Sequence, residues 1–282
     1  MSDKKVKIEK NSIQETLVIP LYARKLCTEI YPSIFKDELA AKLLERLDYD
    51  FSSIEKKAHS FLQRFGSLEI AIRQKNLQIE VEKYLRKHPN AAVVNVGCGL
   101  DETGETCDNG VCKIYNIDMP DVIEARNALI PTQDRVKNIS CDLNDTSWFN
   151  EIDDEGGSVF FASGVFYYFK IEEMQKLINT MADRFKGGKL VFDITGKAGL
   201  KMVLKVVSEE AGIKNVGGYF HVDSIEKDIK PWVKNAKVSS KPYMYGYIDL
   251  KKACIPLYFR IIAKIGDNLI KMKIMRIDFM NP

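Results

Sequence analysis

Four stretches within the first ninety residues carry apolar side chains at helical spacing. In residues 36–47, Leu39, Leu43 and Leu47 recur every four positions. The predicted helices cover residues 15–30, 36–47, 54–65 and 69–87, and Pro20 is expected to interrupt the first of them. This helical region ends at His88-Pro89-Asn90, where proline interrupts the pattern.

Beyond residue 90, short apolar runs alternate with helical patterns. The predicted strands are residues 91–96, 112–117, 136–140, 158–163 and 189–194, and the helices between them begin at Pro120, at Ile171 and near Leu200. Such alternation is typical of βαβ units, so it predicts an α/β fold with a parallel sheet. Three later segments, residues 216–221, 238–247 and 271–280, predict further strands.

The length of 282 residues suits one large domain with a smaller unit attached to it. We predict a helical N-terminal cap over residues 1–90 and a sheet domain over residues 91–282. Hydrophobic residues make up 45% of the chain and charged residues 29%, as in ordinary globular proteins. The net charge of +3 is too small to make nucleic acid or an anionic membrane the default partner.

The sequence also predicts where the protein works. Its N-terminal residues lack the apolar run of a signal peptide, and its longest nearly apolar stretch, Val159 to Phe169, is shorter than the ~20 residues that cross a bilayer. The six cysteines form no CxxC pair and no regular framework. We therefore expect a cytoplasmic protein with reduced thiols and no membrane partner, whose oligomeric state the sequence leaves open.

Two predicted strand ends carry residues that suit a nucleotide. The loop Gly97-Cys98-Gly99-Leu100-Asp101 follows the first strand of the sheet, where missing side chains let the backbone approach a ligand. Asp118 lies 21 residues after Gly97, close to the ~20-residue offset of a carboxylate that binds ribose hydroxyls. These residues predict a cofactor that contains adenosine.

The residue at position 102 narrows the choice of cofactor. A dinucleotide site requires a glycine there so that the helix can approach a pyrophosphate, but this chain has Glu102. Asp101 and Glu102 repel phosphate and suit a cofactor that carries positive charge and no phosphate. S-adenosylmethionine fits that description, so the residues predict methyl transfer.

Six segments between Glu15 and Lys197 occur in the order found in a known family. They are ETLVIPLYARK (15–25), VVNVGCGLD (93–101), IYNIDMPDVIEARNALIP (114–131), CDLND (141–145), FFASGVFYYF (160–169) and FKGGKLVFDITGK (185–197). These segments resemble the leucine carboxyl methyltransferase family, which includes polyketide O-methyltransferases. The resemblance implies a Rossmann-like, doubly wound, mostly parallel seven-stranded sheet with a helical N-terminal cap, and C-terminal elaborations on the substrate side.

The resemblance also implies a set of cofactor contacts. The methionine part would lie near the glycine loop, the ribose on Asp118 and the adenine on Asp142 and Leu143. Arg73 corresponds to the family arginine that reaches the cofactor carboxylate. The full set is Arg73, Gly97, Cys98, Gly99, Asp101, Asp118, Met119, Asp142, Leu143 and Ser163.

For two of these residues, Arg73 and Asp142, the sequence also allows a structural role. Arg73 lies within an apolar stripe, three residues after Ile70 and four before Leu77. A core-facing arginine needs an anionic partner or a path to water, so a packed, structural arginine is the alternative. Asp142 can instead cap the following turn, because aspartate is a favoured turn residue.

The chain departs from the family pattern at two places. Ser163 stands where the family usually has an acidic residue, and Glu102-Thr103 replaces the usual Thr-Arg. The first change removes a carboxylate beside the cofactor, and the second removes a positive charge near the site. Both changes leave the identity of the acceptor open.

The candidate catalytic residues are tyrosines and an arginine. Tyr22 and Arg24 belong to the opening motif, and Tyr167 and Tyr168 follow a strand on the ligand edge of the sheet, where rings bound a pocket unless they only pack the core. His59, His88 and His221 lie among polar residues, and Cys107 and Cys112 lack a second ligand pair. The sequence therefore predicts neither a histidine base nor a metal site.

These observations predict an S-adenosylmethionine-dependent O-methyltransferase with a carboxylate or phenol of a small molecule or peptide as acceptor. The alternative is a non-catalytic protein that binds the cofactor and has lost the acceptor site.

Overall fold

The computed structural model describes residues 5–8, 15–210 and 217–281. The strands are β1 Val6–Lys7, β2 Leu47–Asp48, β3 Ala92–Val96, β4 Lys113–Asp118, β5 Val136–Ser140, β6 Ser158–Ala162, β7 Lys189–Ile194, β8 Ala236–Pro242 and β9 Lys273–Phe279. The helices are α1 Glu15–Ile30, α2 Glu38–Glu45, α3 Ser52–Lys57, α4 Phe61–Leu85, α5 Thr103–Thr106, α6 Pro120–Leu129, α7 Ile171–Arg184, α8 Lys197–Glu210, α9 Ile225–Asp228 and α10 Leu257–Ile265. Short 3₁₀ turns cover Thr146–Glu151 and Phe166–Tyr168, and a π-helical turn covers Gly266–Ile270.

A sheet of seven strands forms the centre of the molecule, in the order β5-β4-β3-β6-β7-β9-β8. The strands from β5 to β7 are parallel, and β9 runs antiparallel to both of its neighbours. The chain moves outward from β3 to β5 and then returns to place β6 on the other side of β3. Ligands bind at such a reversal, outside the carboxyl ends of the strands, so the β3–β6 crevice is the expected site.

Alternating side chains of the central strands face two different helical layers. Val93, Phe161 and Val191 are buried in one cluster with Leu77 and Val81 of α4. Their chain neighbours Val94, Phe160 and Phe192 are buried on the other face, with Met174, Leu177 and Met181 of α7. This division follows from the two-residue period of a strand, and it explains why these strands read as continuous apolar runs.

Helix α4 extends from the sheet into the region of the crevice. Its 25 residues span about 37 Å, whereas a six-residue strand spans about 20 Å. The Tyr84 hydroxyl near its C-terminus donates to the carbonyl of Gly187 (3.0 Å), before β7 begins, while Arg73 reaches the end of β7. The first turns of α4 therefore project beyond the carboxyl edge of the sheet, where Phe65 packs on Phe259 of α10 (5.3 Å between ring centroids).

A third buried cluster holds the N-terminal helices together. It joins Leu21 and Leu26 of α1 to Leu43 of α2 and includes Leu100 from the loop after β3. The two-residue strands β1 and β2 pair beside it. In the described part of the chain, no helix combines the length and the apolar character that crossing a bilayer requires.

The sequence predicts most elements of the sheet within two residues, but several boundaries differ. No helix spans residues 54–65, because α3 ends at Lys57 and the Ser60 side chain starts α4 by accepting a hydrogen bond from the N–H of Gln63 (3.3 Å). The helix predicted over residues 36–47 stops at Glu45, and Leu47 begins β2 instead. Helix α1 continues through Pro20.

Two predicted late strands are also wrong in part. Residues 217–221 form no strand, since the backbone N–H groups of Tyr219 and Phe220 both donate to the carbonyl of Tyr167; Val216 lies outside the described residues. The strand predicted over residues 238–247 starts at Ala236 and ends at Pro242. The chain turns there because the next residues donate backbone hydrogen bonds to Asp267.

Candidate active site

The turn after β3 is a glycine turn by geometric necessity. Gly97 and Gly99 have φ angles of +68° and +50°, in the left-handed region that residues with a side chain rarely adopt. A Cβ atom at Gly97 would lie 2.4 Å from a methyl carbon of Val165. The backbone at Gly97 therefore lies close to the Val165 side chain of the loop after β6. The next residue, Cys98, is buried.

Asp118 ends β4 beside this turn and holds it in place. One carboxylate oxygen accepts a hydrogen bond from the N–H of Gly99 (2.7 Å), and the other accepts from the N–H of Met119 (2.8 Å). Burial raises the pKa of the Asp118 carboxyl, and these two hydrogen bonds oppose that effect. The residue as a whole is half-buried.

Arg126 of α6 also holds the turn after β3 through hydrogen bonds, a role that the sequence analysis missed. Its side chain is fully buried, and Nη1 donates to the carbonyls of Gly99 (3.0 Å) and Asp101 (2.7 Å). Its other terminal nitrogen pairs with Glu105 (2.6 Å). Arg126 belongs to the IEARNALI segment, and an arginine on the apolar side of a helix is the signal that marks it.

Arg24 ties the N-terminal helices to the turn. The buried guanidinium donates to the carbonyl of Leu100 (2.9 Å) and pairs with Asp101 (3.4 Å) and Asp37 (3.3 Å). Asp101 also accepts hydrogen bonds from the N–H and hydroxyl of Thr103 (2.8 and 2.7 Å), which starts α5. These contacts make Arg24 a residue that positions the loop.

A second cluster lies at the carboxyl ends of β6 and β7. Asp193, almost fully buried at the end of β7, accepts hydrogen bonds from the N–H of Gly164 (2.7 Å) and the hydroxyl of Tyr167 (2.7 Å). The Nη1 atom of Arg73 lies 3.3 Å from the same carboxylate. Burial lowers the pKa of the Arg73 guanidinium, but Asp193, Tyr243 and Tyr167 together outweigh burial and raise it.

Gly164 makes room for Arg73 in this cluster. It has a φ of +72°, and a Cβ atom there would lie 2.8 Å from Nη1 of Arg73. Ser163 precedes it and is half-buried. The guanidinium therefore covers the turn after β6 as Asp118 covers the turn after β3.

The two tyrosines after β6 have different surroundings. Tyr167 is buried, and its hydroxyl is committed to Asp193, while burial and that carboxylate raise its pKa well above the ordinary value. Tyr168 is half-buried close to the same charged groups, and burial raises its pKa. Of the two, Tyr168 is the one with surface left to contact a ligand.

The remaining predicted site residues make other contacts. Asp142 is exposed and caps its own turn by accepting from the N–H of Asn144 (2.9 Å), and Leu143 is buried in the sheet core. Met119 is 38% exposed at the start of α6. Tyr22 packs inside the N-terminal cluster, which also includes Leu100, and its ring is stacked on Phe51 (6.3 Å).

The chemical character of the site follows from these groups. A carboxylate and a guanidinium flank two backbone turns at the reversal of the sheet. This arrangement suits a ligand that presents hydroxyl groups at one end and a carboxylate at the other. Among the described residues, no three His, Cys, Asp or Glu side chains lie together as metal ligands.

Comparison with known proteins finds relatives over most of the chain. The sequence profile of the leucine carboxyl methyltransferase family matches residues 18–182. The tetracenomycin polyketide synthesis O-methyltransferase TcmP of Streptomyces glaucescens is 26% identical over 187 residues, which cover 66% of this chain and 67% of TcmP. The S-adenosyl-L-methionine-dependent methyltransferase dpfgK of Gibberella zeae is 25% identical over 294 aligned positions, 94% of this chain and 96% of dpfgK.

A solved structure shares the fold. A DUF574 family protein from Streptomyces avermitilis superposes with a TM-score of 0.62 over 95% of this chain and 97% of that protein, at 10% sequence identity. At that identity the similarity concerns the fold alone. Together with the strand order, it confirms the predicted α/β class with a mostly parallel seven-stranded sheet.

Proposed function

The chain belongs to the leucine carboxyl methyltransferase family and is an S-adenosylmethionine-dependent methyltransferase, and we propose that it methylates a carboxylate or phenolic oxygen of a small-molecule acceptor. The observation that carries this proposal is the pair of oppositely charged groups, Asp118 and Arg73, on the two glycine turns at the reversal of the sheet. The relationship to TcmP, named as a polyketide O-methyltransferase, supports oxygen as the atom that is methylated.

The residues of the crevice fit this cofactor. The Asp118 carboxylate has about four acceptor sites, of which the N–H groups of Gly99 and Met119 occupy two. The remaining sites suit ribose hydroxyls. Arg73 has about five N–H donors, and within the described ranges only Nη1 is engaged, with Asp193. Its other donors suit the cofactor carboxylate, and Glu102 disfavours the pyrophosphate of a dinucleotide.

The protein's task in the reaction is alignment. When bound, S-adenosylmethionine supplies a methyl group on positively charged sulfur. An oxygen nucleophile in line with the C–S bond attacks the methyl carbon, and the sulfur leaves as a neutral thioether. Tyr168 ends the short 3₁₀ turn after β6 and is half-buried. In this proposal its ring bounds the space for an acceptor and limits the access of water. Arg24 and Arg126 act through the backbone, because their hydrogen bonds hold the loop that carries Gly99 and Asp101.

The dependence of transfer on pH separates the two acceptor types. We expect transfer of labelled methyl groups to aromatic acceptors without an added divalent ion. A carboxylate, already ionised, gives a rate nearly flat from pH 6 to 8, whereas a phenol with a pKa near about 10 gives a rising rate. If the protein binds S-adenosylhomocysteine but methylates no carboxylate or phenol in a broad panel, the non-catalytic alternative holds and this proposal is wrong.

Arg73 offers a test of the cofactor site that separates binding from packing. Arg73→Met leaves the buried Asp193 charge without its partner, so we compare it with the double variant Arg73→Met/Asp193→Asn, which removes both charges. We expect both variants to bind S-adenosylhomocysteine at least about tenfold more weakly in calorimetry. Normal affinity in the double variant would assign Arg73 a purely structural role.

A further inference from the structure

A pocket of about 420 Å³ opens at the carboxyl edge of the sheet, beside the crevice. Its walls come from the start of α7, the first turns of α8 and the segment 217–221. Leu200, Leu204 and Tyr219 supply apolar surface. The volume falls in the range of small-molecule pockets.

The pocket is strongly positive at its rim. Lys170, Lys197 and Lys201 line it, and among the side chains that the structure describes Glu172 is its one acidic lining residue. None of the three ammonium groups forms an ion pair or hydrogen bond with another residue of the described ranges. Three like charges that share one opening repel one another, so an anion bound among them is favoured electrostatically.

The wall of the pocket is connected to the cluster around Arg73. The backbone N–H groups of Tyr219 and Phe220 donate to the carbonyl of Tyr167 (2.9 and 3.3 Å). The Tyr167 hydroxyl donates to Asp193, which pairs with Arg73. These contacts connect the wall of the pocket to the proposed methyl donor site, on the side of β6 and β7.

We propose that this pocket binds an anionic substituent of the acceptor, a carboxylate or phosphate on an apolar ring system, and that the methylated oxygen belongs to a second group of the same molecule. The inference rests on the proposed function. Ion pairing with lysine stabilises an oxyanion and lowers its nucleophilicity, so the anchored group is not the one that reacts. In the transfer, the second oxygen reacts as an oxyanion, and a phenol first releases its proton to solvent. This oxygen forms the new O–CH₃ bond, the C–S bond breaks with its electron pair on sulfur, and the anchored anion is unchanged.

Lysine ammonium groups act as point charges and do not distinguish a carboxylate from a phosphate by geometry. The test therefore uses three probes with one ring system: 2-naphthoate, 2-naphthyl phosphate and the neutral 2-naphthamide. We expect calorimetry to show that at least one anion binds at least tenfold more tightly than the amide. We also expect that preference to shrink as salt is added, and the tighter of the two anions identifies the group.

A charge-matched pair of variants localises the effect. Lys170→Gln/Lys197→Gln/Lys201→Gln should lose at least tenfold in affinity for the favoured anion and leave amide binding unchanged. The control Lys176→Gln/Lys234→Gln/Lys252→Gln removes three exposed lysines elsewhere, alters the net charge equally and should retain the preference. Equal binding of anion and amide by the unaltered protein, or equal losses in both variants, would overturn the proposal.

The same titrations separate this proposal from the proposed function. Each is run with and without saturating S-adenosylhomocysteine, whose own binding is measured first. If S-adenosylhomocysteine fails to bind, the proposed function is wrong. The titrations without S-adenosylhomocysteine still show whether the pocket prefers an anion to the neutral amide. If it binds normally and no anion preference exists, the proposed function stands and the pocket assignment falls.

Discussion

At the scale of single residues, Asp118 combines two tasks in one carboxylate. It orders the glycine turn through the N–H of Gly99, and it offers its remaining acceptor sites to a ligand. Asp118→Asn keeps an oxygen for Gly99 and removes the charge. Because hydrogen bonds to charged groups are stronger by about 1 to 1.5 kcal/mol, we expect S-adenosylhomocysteine to bind about tenfold more weakly.

Calorimetry on Asp118→Asn and on the exposed control Asp134→Asn measures this change. The control should bind as the unaltered protein does. Unchanged affinity in Asp118→Asn would contradict the assignment of the ribose to this residue.

Glu69 is a second residue whose charge state depends on the tertiary structure. It lies one turn before Arg73 on α4, and its side chain is half-buried. Burial raises the pKa of its carboxyl from 4.5 to about 7; Arg73 opposes the rise and Asp267 adds to it. Between pH 4.5 and 7 the folded protein binds the Glu69 proton more tightly than the unfolded chain does. The contribution of this bound proton to the free energy of unfolding is therefore lost as pH rises through that window.

Removing the titration should therefore stabilise the protein at high pH only. We expect Glu69→Gln to raise the free energy of unfolding by about 1 to 3 kcal/mol at pH 8, after allowance for partial exposure, and to change it little near pH 4.5. Thermal melts at both pH values check this, with the exposed Glu45→Gln as control. An equal shift of the melting temperature at both pH values would rule out a titrating Glu69.

At the scale of elements, the turn after β6 depends on a glycine for two separate reasons. Gly164 and Gly110 both have positive φ angles, +72° and +88°. A Cβ atom at Gly110 meets nothing within 4 Å, whereas one at Gly164 meets the Arg73 guanidinium at 2.8 Å. The two glycines therefore separate backbone strain from displacement of Arg73.

Alanine substitutions at these positions should differ in their effect on binding. Gly110→Ala should cost about 1 kcal/mol of stability, the usual cost of a left-handed alanine, and leave cofactor binding unchanged. Gly164→Ala should cost at least as much and weaken S-adenosylhomocysteine binding by about tenfold, because Arg73 is displaced. Chemical denaturation and calorimetry measure both quantities, and equal affinities in the two variants would show that Arg73 does not reach the ligand.

At the scale of the whole molecule, the predicted division at residue 90 separates α4 from the sheet that it covers. Leu77 and Val81 of this helix are buried with Val93, Phe161 and Val191. We expect a fragment of residues 91–282 to remain unfolded, because one face of its central strands would be exposed to water.

A longer fragment, residues 60–282, restores α4 and provides the comparison. It should show more native-like circular dichroism and a more cooperative melt than the shorter fragment. A cooperative transition in the fragment of residues 91–282 would confirm the domain boundary that the sequence predicts.

The predictability of the site depended on how local each signal was. Gly97, Gly99 and Asp118 follow from spacing along the chain, since a strand, a turn and the next strand end meet within about 20 residues. Arg126 was missed although it lies on the apolar side of α6, because two of its partners are the backbone carbonyls of Gly99 and Asp101, which no sequence motif marks. Tyr22 and Tyr167 were candidates because of their positions in the sequence. In the structure, Tyr22 is packed against Phe51, and the Tyr167 hydroxyl donates its hydrogen bond to Asp193.

The sequence by itself determined the α/β class, most strands of the sheet and the choice of cofactor, because hydrophobic period and turn chemistry are local properties of the chain. Only the tertiary structure decided that α4 packs against the sheet, that Asp193 pairs with Arg73 across 120 residues, and that three lysines line one pocket. These contacts depend on how strands are ordered and how helices pack. That order is set by burial summed over the whole core, which no short segment encodes.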